Sequence, residues 1–157
     1  MSFTTRNGTY GARQPKGGAL TRWFNDRMVK RVRRKGGKLM GMPALALGTI
    51  GKKTGERRYT PVAMFPGIPE STGWIVVASA AGGARNPAWY YNIAAHPDDV
   101  TVEFAGKVTE VTPVELHGDE RAEAWAKILT IAPRFARYET VTDRVIPIIR
   151  LLPKDPG

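Results

Sequence analysis

The side chains with the clearest chemical potential in this chain lie in residues 48–65, GTIGKKTGERRYTPVAMF. The stretch predicts a turn flanked by glycines, with four cations among seven residues: Lys52, Lys53, Arg57 and Arg58. These side chains, the Thr54 hydroxyl and the backbone amides of the turn could together bind a phosphate or a carboxylate. A lysine-rich hairpin tip on the surface has the same composition, so this stretch by itself leaves both interpretations open.

Motifs for several other chemistries are missing from the sequence. A Walker loop has its lysine directly after the second glycine, whereas Lys52 and Lys53 precede Gly55, and no Gly-x-Gly-x-x-Gly sequence occurs. The chain has no cysteine, which excludes disulfides, thiolate metal ligands and a cysteine nucleophile. With two histidines, His96 and His117, a metal site built from several histidines is not expected.

A second segment, SAAGGARNPAWYYN, has features that suit a flat ligand. A loop of small residues runs into Asn86 and Pro87, which predict a helix with Asn86 as its N-cap and Pro87 at its first position. The first turn of a helix presents backbone amides that can bind anions. The helix then offers the rings of Trp89 and Tyr90 and the amide of Asn92, although an aromatic helix of this kind is also a common part of a core.

Hydrophobic patterns place both segments in a small barrel. Stretches that alternate or are rich in β-branched residues predict six strands, at residues 43–49, 57–65, 74–79, 100–104, 107–114 and 145–152. Short glycine-containing connections predict antiparallel hairpins between several of them. Three or four short helices flank the strands, including a late turn with Phe135 and Tyr138. This order of elements predicts an α+β barrel of mostly antiparallel strands.

The N-terminal part of the chain divides into a tail and a helix. Residues 1–18 are rich in Gly, Thr and Arg without periodicity, which predicts a mobile basic tail. Residues 19–35 carry an apolar stripe at helical spacing with basic residues largely off it, so they predict a basic amphipathic helix. Its stripe either covers one end of the core or lies on anionic lipid. Residues 38–157 then form a single barrel domain.

Positive charge is concentrated in the first third of the chain. Residues 1–58 contain 15 Lys and Arg against two acidic residues, whereas residues 59–157 contain nine against 12, within a net charge of +10. This asymmetry predicts an anionic partner: an acidic small molecule, a membrane surface or a nucleic acid. The aromatic residues do not alternate with Lys and Arg along one strand, which disfavours a nucleic-acid-binding barrel. Without a long apolar run or a signal-like segment, we expect a cytoplasmic protein, and we favour a monomer.

Three separated blocks of the chain resemble the deazaflavin-dependent nitroreductase family of actinobacteria. They are GTIGKKTGERRYTPV, WIVVASAAGGARNPAWYYNIAAHPDDVTVEF and TDRVIPIIRL, in family order within residues 42–153. The resemblance implies a split β-barrel that uses coenzyme F-420, an 8-hydroxy-5-deazaflavin with a phosphate and an oligoglutamate tail. It also implies hydride transfer from C5 of the reduced ring to a quinone, an activated enone or a nitroaromatic compound. FMN and haem, which related split barrels bind, are the alternative cofactors.

The resemblance also implies roles for individual residues. The phosphate and the tail would be bound by Lys52, Lys53 and Thr54. The deazaflavin ring would lie along Arg58, Tyr59, Thr60, Pro61, Val62 and Ala63. Backbone groups at the ring edge would come from Val77, Ala78, Ser79 and Ala80, and the helical side of the pocket from Ala88, Trp89, Tyr90, Tyr91 and Asn92. The substrate pocket would include Ala132, Phe135 and Tyr138, with the Tyr138 hydroxyl as a proton donor.

Two sites depart from the nitroimidazole-activating relatives in that family. Ala80 stands where those relatives have a basic residue, and Ala132 and Phe135 replace hydroxyl-bearing rings around the late helical turn. The resemblance therefore implies a less polar substrate pocket and weaker reduction of nitro drugs. If the amphipathic helix lies on lipid, a membrane quinone becomes the natural acceptor.

Overall fold

The computed structural model describes residues 3–13, 18–39, 41–66 and 73–154, which form a curled antiparallel sheet flanked by helices. Its strands are β1 (Lys38–Leu39), β2 (Met42–Ile50), β3 (Arg57–Ala63), β4 (Phe65–Pro66), β5 (Trp74–Val77), β6 (Val100–Phe104), β7 (Lys107–Glu115) and β8 (Ile148–Pro153). The helices are α1 (Ala19–Lys35), α2 (Ala88–Ala95), α3 (Gly118–Ile131) and α4 (Phe135–Thr140), with a 3-10 turn at Ala80–Gly82. The remaining parts of the predicted tail and barrel lie outside the described residues: 1–2, 14–17, 40, 67–72 and 155–157.

The strands follow the order β1-β2-β6-β7-β8-β5-β4, with β3 paired to β2, and the described pairs are all antiparallel. β3 and β5 are neighbours, but no ladder of hydrogen bonds joins them in the described sheet. The curled sheet is therefore split between these two strands. This confirms the predicted split β-barrel, and the six predicted strands correspond to β2, β3, β5, β6, β7 and β8.

The strands differ from the predicted ones in length and number for local reasons. β1 and β4 have two residues each, which is too short for a periodic pattern to show. β8 begins at Ile148 and not at residue 145. The cause is Pro147, which has no backbone N–H to donate, although its carbonyl accepts the amide of Ala78 at 2.9 Å.

β2, β5 and β8 are largely buried on both faces, which explains their continuous apolar runs, whereas β7 alternates between buried and more exposed residues. Neighbouring residues on a strand point to opposite faces of the sheet. On β8, Ile149 packs inside the barrel with residues of α2, whereas Ile148 packs on the other face with residues of α3. Both side chains are fully buried. The sheet therefore has helices on both faces, and α2 is fixed in the barrel interior.

Helix α1 packs on the barrel through its C-terminal half. Val29 and Val32 are buried against Ala44 and Ala46 of β2, whose small side chains let the helix approach the strand closely. Apolar side chains in the N-terminal half remain exposed, by 68%, 50% and 59%, at Leu20, Trp23 and Phe24. Within the described ranges, no helix has the length and apolarity needed to cross a membrane. Of the two interpretations of this helix, the one in which its apolar stripe covers part of the core therefore applies to the C-terminal half.

Residues 3–13 lie along the barrel and are held by hydrogen bonds, although the sequence predicts a mobile tail there. The Thr4 amide donates to the Glu115 carboxylate at 3.0 Å, and the Thr9 amide donates to the Asp143 carboxylate at 2.7 Å. These acceptors lie 111 and 134 residues further along the chain, so a composition rich in Gly and Thr could not reveal them. The prediction is corrected for this segment.

Candidate functional site

An apolar cavity of about 230 Å³ lies where β3 passes the end of β5. The predicted site residues that line it are Thr60, Pro61, Val62, Ala63, Val77, Ser79, Ala80, Trp89, Phe135 and Tyr138. Pro61 suits its position because β3 pairs with β2 alone in the described sheet, so the other edge of the strand needs no amide donor. The volume is slightly below the usual range for ligand pockets, which suits the ring end of a cofactor and not a whole cofactor with its anionic chain.

A more open cleft of about 500 Å³ lies next to this cavity. Its lining comes from the glycine-flanked turn, the start of β3 and one side of α2: Gly51, Lys52, Lys53, Thr54, Arg58, Ala88, Tyr91 and Asn92. The turn is closed by backbone bonds from Gly51 to the Glu56 carbonyl at 2.8 Å and from Gly55 to the Gly51 carbonyl at 2.9 Å. Gly55 has a φ of 72°, a conformation that other residues rarely adopt.

The three cations of the cleft are available to an anion. Lys52, Lys53 and Arg58 are exposed, and among the described residues none of them forms an ion pair with a carboxylate. The Lys52 ammonium lies 5.8 Å from the centre of the Tyr91 ring. Arg57 is directed elsewhere, because its guanidinium donates to the Asp99 carbonyl at 2.7 Å. The cleft therefore offers positive charge without an internal counter-ion.

Asn92 positions the cationic turn. Its side chain is buried, its oxygen accepts the Lys52 amide at 2.9 Å, and its nitrogen donates to the Thr49 hydroxyl at 3.3 Å. Both ends of the amide are thus used inside the protein. Asn92 lies on the helical side of the cleft, where the resemblance placed it, and its polar atoms also hold the turn against α2. Its contact with a cofactor stays a prediction.

The cavity and the cleft share two elements, which makes them parts of one site. On β3, Arg58 lines the cleft and Thr60 lines the cavity, and residues two apart on a strand point to the same face. At the start of α2, Ala88 lines the cleft while Trp89 lines the cavity. An elongated ligand with an apolar ring at one end and anionic groups at the other would fit this arrangement.

Tyr90 is not in the site, contrary to the prediction. It is 1% exposed, and its hydroxyl donates to the Glu115 carboxylate at 2.8 Å and accepts the Thr5 amide at 3.1 Å. Burial, together with the hydrogen bond to Glu115, raises the pKa of Tyr90 to about 12. The side chain therefore belongs to the barrel core and helps to anchor the N-terminal segment.

Three further predicted residues lie outside both the cavity and the cleft. Tyr59 faces α1, where the Arg33 guanidinium lies 4.1 Å from the centre of its ring. Ala78 is buried behind the cavity, and its amide donates to the carbonyl of Pro147, the residue before β8. Ala132 is buried between α3 and α4, so it supports Phe135 without reaching the cavity. The predicted contacts of these three residues with a ligand are corrected accordingly.

Several residues of the site were missed by sequence reasoning. Leu39, Met42, Phe65, Ala81, Pro87 and Arg134 also line the cavity. Leu39 and Phe65 belong to strands of two residues, Met42 begins β2, and the other three lie in connections or a single turn, where no periodic pattern shows. In the part of the chain that the structure describes, no group of three potential metal ligands comes together.

A split barrel whose apolar cavity adjoins a cationic cleft defines a class: the split-barrel oxidoreductases that bind a flavin-like ring with an anionic chain. Within this class, the model of the F420H(2)-dependent quinone reductase family matches residues 20–153. The chain belongs to the F420H(2)-dependent quinone reductase family. This confirms the predicted deazaflavin-dependent reductase and its cofactor, coenzyme F-420.

Individual relatives agree with this assignment. F420H(2)-dependent quinone reductase Rv1261c of Mycobacterium tuberculosis (strain ATCC 25618 / H37Rv) is 34% identical over 112 residues, covering 69% of this chain and 72% of that protein. A solved structure of an F420-H2 dependent reductase (FDR-A) has a TM-score of 0.60 and 35% identity, covering 69% of this chain and 92% of that chain. A second solved structure, described only as a domain-swapped dimer, has a TM-score of 0.62 and 29% identity, covering 85% of this chain and 99% of that chain. The monomer favoured from the sequence stays a prediction.

Proposed function

We propose that this protein reduces a quinone at the apolar cavity with electrons from coenzyme F-420. The observation that supports this most directly is the continuity between an apolar cavity and a cleft with three cations that have no carboxylate partner among the described residues. When bound, the reduced cofactor supplies a hydride from C5 of its ring. The chain itself supplies binding, orientation and exclusion of water.

The two parts of the site divide these tasks. In the cleft, Lys52, Lys53 and Arg58 bind the phosphate and carboxylates of the tail through charge-assisted hydrogen bonds. In the cavity, Pro61 and Val62 of β3 face Trp89 of α2 and leave room for a planar ring with little contact to water. Holding the ring in one orientation brings the reacting atoms together and lowers the entropic part of the barrier.

The lining of the cavity favours a quinone among the three acceptor classes. Phe65, Phe135 and Tyr138 form an aromatic side of the cavity, on which a flat, apolar acceptor can stack. Phe65 and Phe135 meet edge to face at 5.6 Å between ring centres. A nitro group would gain less here, because Ala80 offers it no side-chain donor. Activated enones remain the second candidate class.

The test of this proposal is the reoxidation of reduced coenzyme F-420 by a panel of acceptors. We expect menadione to be reduced fastest, cyclohexenone more slowly and a nitroimidazole slowest. The same samples should show a change in deazaflavin fluorescence as protein is added. A protein that leaves this fluorescence unchanged at every concentration would overturn the proposal, and a nitroimidazole that reacts faster than menadione would overturn the assignment of the acceptor.

Tyr138 is the residue that we propose as the proton donor to the reduced acceptor. Its ring packs edge to face on Phe135 at 5.1 Å, and no described residue hydrogen-bonds to its hydroxyl. We expect Tyr138→Phe to lower kcat with menadione about tenfold, since water can replace part of a general acid. The Kd of the oxidised cofactor should stay the same, with Tyr138→Leu as a control for lost packing. Unchanged turnover in Tyr138→Phe would remove it as the donor.

We also propose that the N-terminal half of α1 binds an anionic membrane surface. Leu20, Trp23 and Phe24 are exposed on a helix that is anchored to the barrel by Val29 and Val32. A basic cleft on the same helix is lined by Trp23 together with five cations: Arg27, Lys30, Arg31, Arg34 and Lys35. Apolar side chains inserted between headgroups and cations at headgroup level both favour such a surface. A membrane-dissolved quinone would then be near the protein.

Replacement of Trp23 and Phe24 by serine should weaken binding to vesicles with anionic headgroups at least tenfold. Two aromatic side chains contribute a large apolar area at a lipid surface, and added salt should weaken what binding remains. A matched control is Val108→Ser, which alters an apolar side chain of 57% exposure on β7. Reduction of soluble menadione should not change. Equal vesicle binding by the wild type and the double variant would contradict the proposal.

A further inference from the structure

Arg144 is a buried cation behind the apolar cavity. It is 4% exposed, and its guanidinium donates to the carbonyls of Gly83 at 2.9 Å, Ala78 at 2.8 Å and Ser79 at 2.6 Å, and to the Asn86 side-chain oxygen at 2.6 Å. All four acceptors are neutral, and no carboxylate forms an ion pair with Arg144 among the described residues. Burying a charge without a counter-ion is costly, so this arrangement calls for an explanation.

All four acceptors belong to one loop, residues 78–86, which joins β5 to α2. Part of this loop is in an unfavourable conformation: Ala80 and Ala81 have φ angles of 46° and 52°, in the left-handed region that residues with a Cβ avoid. Both alanines line the cavity, as does Ser79. Strained backbone of this kind persists where its surroundings fix it, and such places cluster at ligand sites.

The loop has few bonds of its own, and residues 3–13 bond from outside to its Gly82 and Ala84 carbonyls and to Asn86. Within it, the Gly82 amide donates to the Ser79 carbonyl and the Gly83 amide donates to the Ala80 carbonyl, both at 2.9 Å, which closes two tight turns. Arginine suits the task of tying such a loop together, because its five N–H donors lie in one plane and can reach several oxygens at once. A lysine has one donor atom and could not span the same set.

We propose that Arg144 is a positioning residue that holds the 78–86 loop in its strained conformation and so shapes the end of the site that receives the cofactor ring. The proposal rests on the proposed function for the identity of the ligand. Because the described hydrogen bonds of Arg144 all go to the loop and none goes to Lys52, Lys53 or Arg58, we expect it to act on the ring and to leave the binding of the anionic tail to the cleft.

Two probes separate these contributions: coenzyme F-420 and the same deazaflavin without its phosphate and glutamates. We expect Arg144→Gln to raise the Kd of both probes by the same factor, about tenfold, at low and at high salt. Arg144→Lys should recover part of this loss. Arg121→Gln is the matched control, since Arg121 also donates to a buried carbonyl, that of Ile146 at 2.8 Å, away from the cavity. A change confined to the full cofactor would overturn the proposal.

A second measurement does not depend on the cofactor. Hydrogen exchange of the Gly82 and Gly83 amides should be at least tenfold faster in Arg144→Gln, while amides of β2 keep their wild-type rates. Amide exchange rates of the loop and Kd values within twofold of the wild type would overturn the proposal. It would also be overturned if both Arg144→Gln and Arg144→Lys failed to fold, since Arg144 would then stabilise the whole core. A wild type that binds neither probe would refute the proposed function, whereas the exchange rates would still test whether Arg144 fixes the conformation of the loop.

Discussion

Replacing Lys53 and Arg58 together by alanine is expected to weaken the binding of coenzyme F-420 by about 30- to 100-fold at low salt. Both side chains are exposed in the cleft, so each charge-assisted hydrogen bond to a phosphate or carboxylate is discounted to about 1 to 1.4 kcal/mol. Two such losses correspond to the stated range, because 1.4 kcal/mol is a factor of ten in Kd. The Kd is measured by quenching of deazaflavin fluorescence.

The control for this prediction removes the same charge elsewhere. Lys107→Ala combined with Lys127→Ala lowers the net charge equally but touches neither the cleft nor the cavity, so it should change the Kd less than twofold. Raising the salt from about 0.05 M to about 0.5 M should weaken the wild type more than the double variant, since screening acts on the charges that the variant lacks. Equal salt dependence in both proteins would show that the cations of the cleft do not bind the tail.

Glu115→Ala is expected to lower the free energy of unfolding by about 3 to 5 kcal/mol. The carboxylate is 5% exposed and accepts bonds from the Tyr90 hydroxyl, the Thr4 amide and the Thr5 hydroxyl. Hydrogen bonds to a charged group contribute about 1.5 to 3 kcal/mol, and a buried hydroxyl left without its acceptor costs about 1 to 3 kcal/mol more. The loss is a large part of the usual stability of a domain and is measured by urea unfolding.

Two variants check the cause of this loss. Glu115→Gln keeps the shape and one oxygen acceptor, so it should lose clearly less stability than Glu115→Ala.

Tyr90→Phe tests the pH dependence of the free energy of unfolding. Tyr90 stays protonated in the folded protein up to a pKa of about 12, against an ordinary value of 10.0, so the wild type loses stability as the pH rises from 10 to 12. The Phe variant should lack this part of the loss, and a parallel decline in both proteins would refute the role of Tyr90.

The barrel and the cationic turn could be predicted because their causes are local in sequence. The six longer strands show a period of two or a continuous apolar run, and the turn around Lys52 and Lys53 is marked by glycines on both sides. The same period of two separates Thr60, which lines the cavity, from Tyr59, which packs under α1 on the opposite face. Alternation alone could not have removed Tyr59 from the predicted site, because Pro61 and Ala63 share its position in the alternation and still line the cavity.

Other parts of the site depend on contacts between distant residues and could not be predicted in this way. Helix α2 carries three consecutive aromatic residues, so its sequence does not tell which ring faces the cavity and which enters the core. The structure places Trp89 at the cavity, Tyr91 at the cleft and Tyr90 in the core. The acceptors of Arg144 are mostly backbone carbonyls, 61 to 66 residues earlier in the chain, which leave no mark in the sequence.

The docking of residues 3–13 has a consequence for the order in which the chain folds. These residues leave the ribosome well before Glu115 and Asp143, to which Thr4 and Thr9 bind and which are made 111 and 134 residues later. Contacts of such long range form slowly, because a large loop must close before they contribute. We therefore expect the segment to dock after the barrel has closed, so that a segment synthesised before the barrel strands reaches its native place after them.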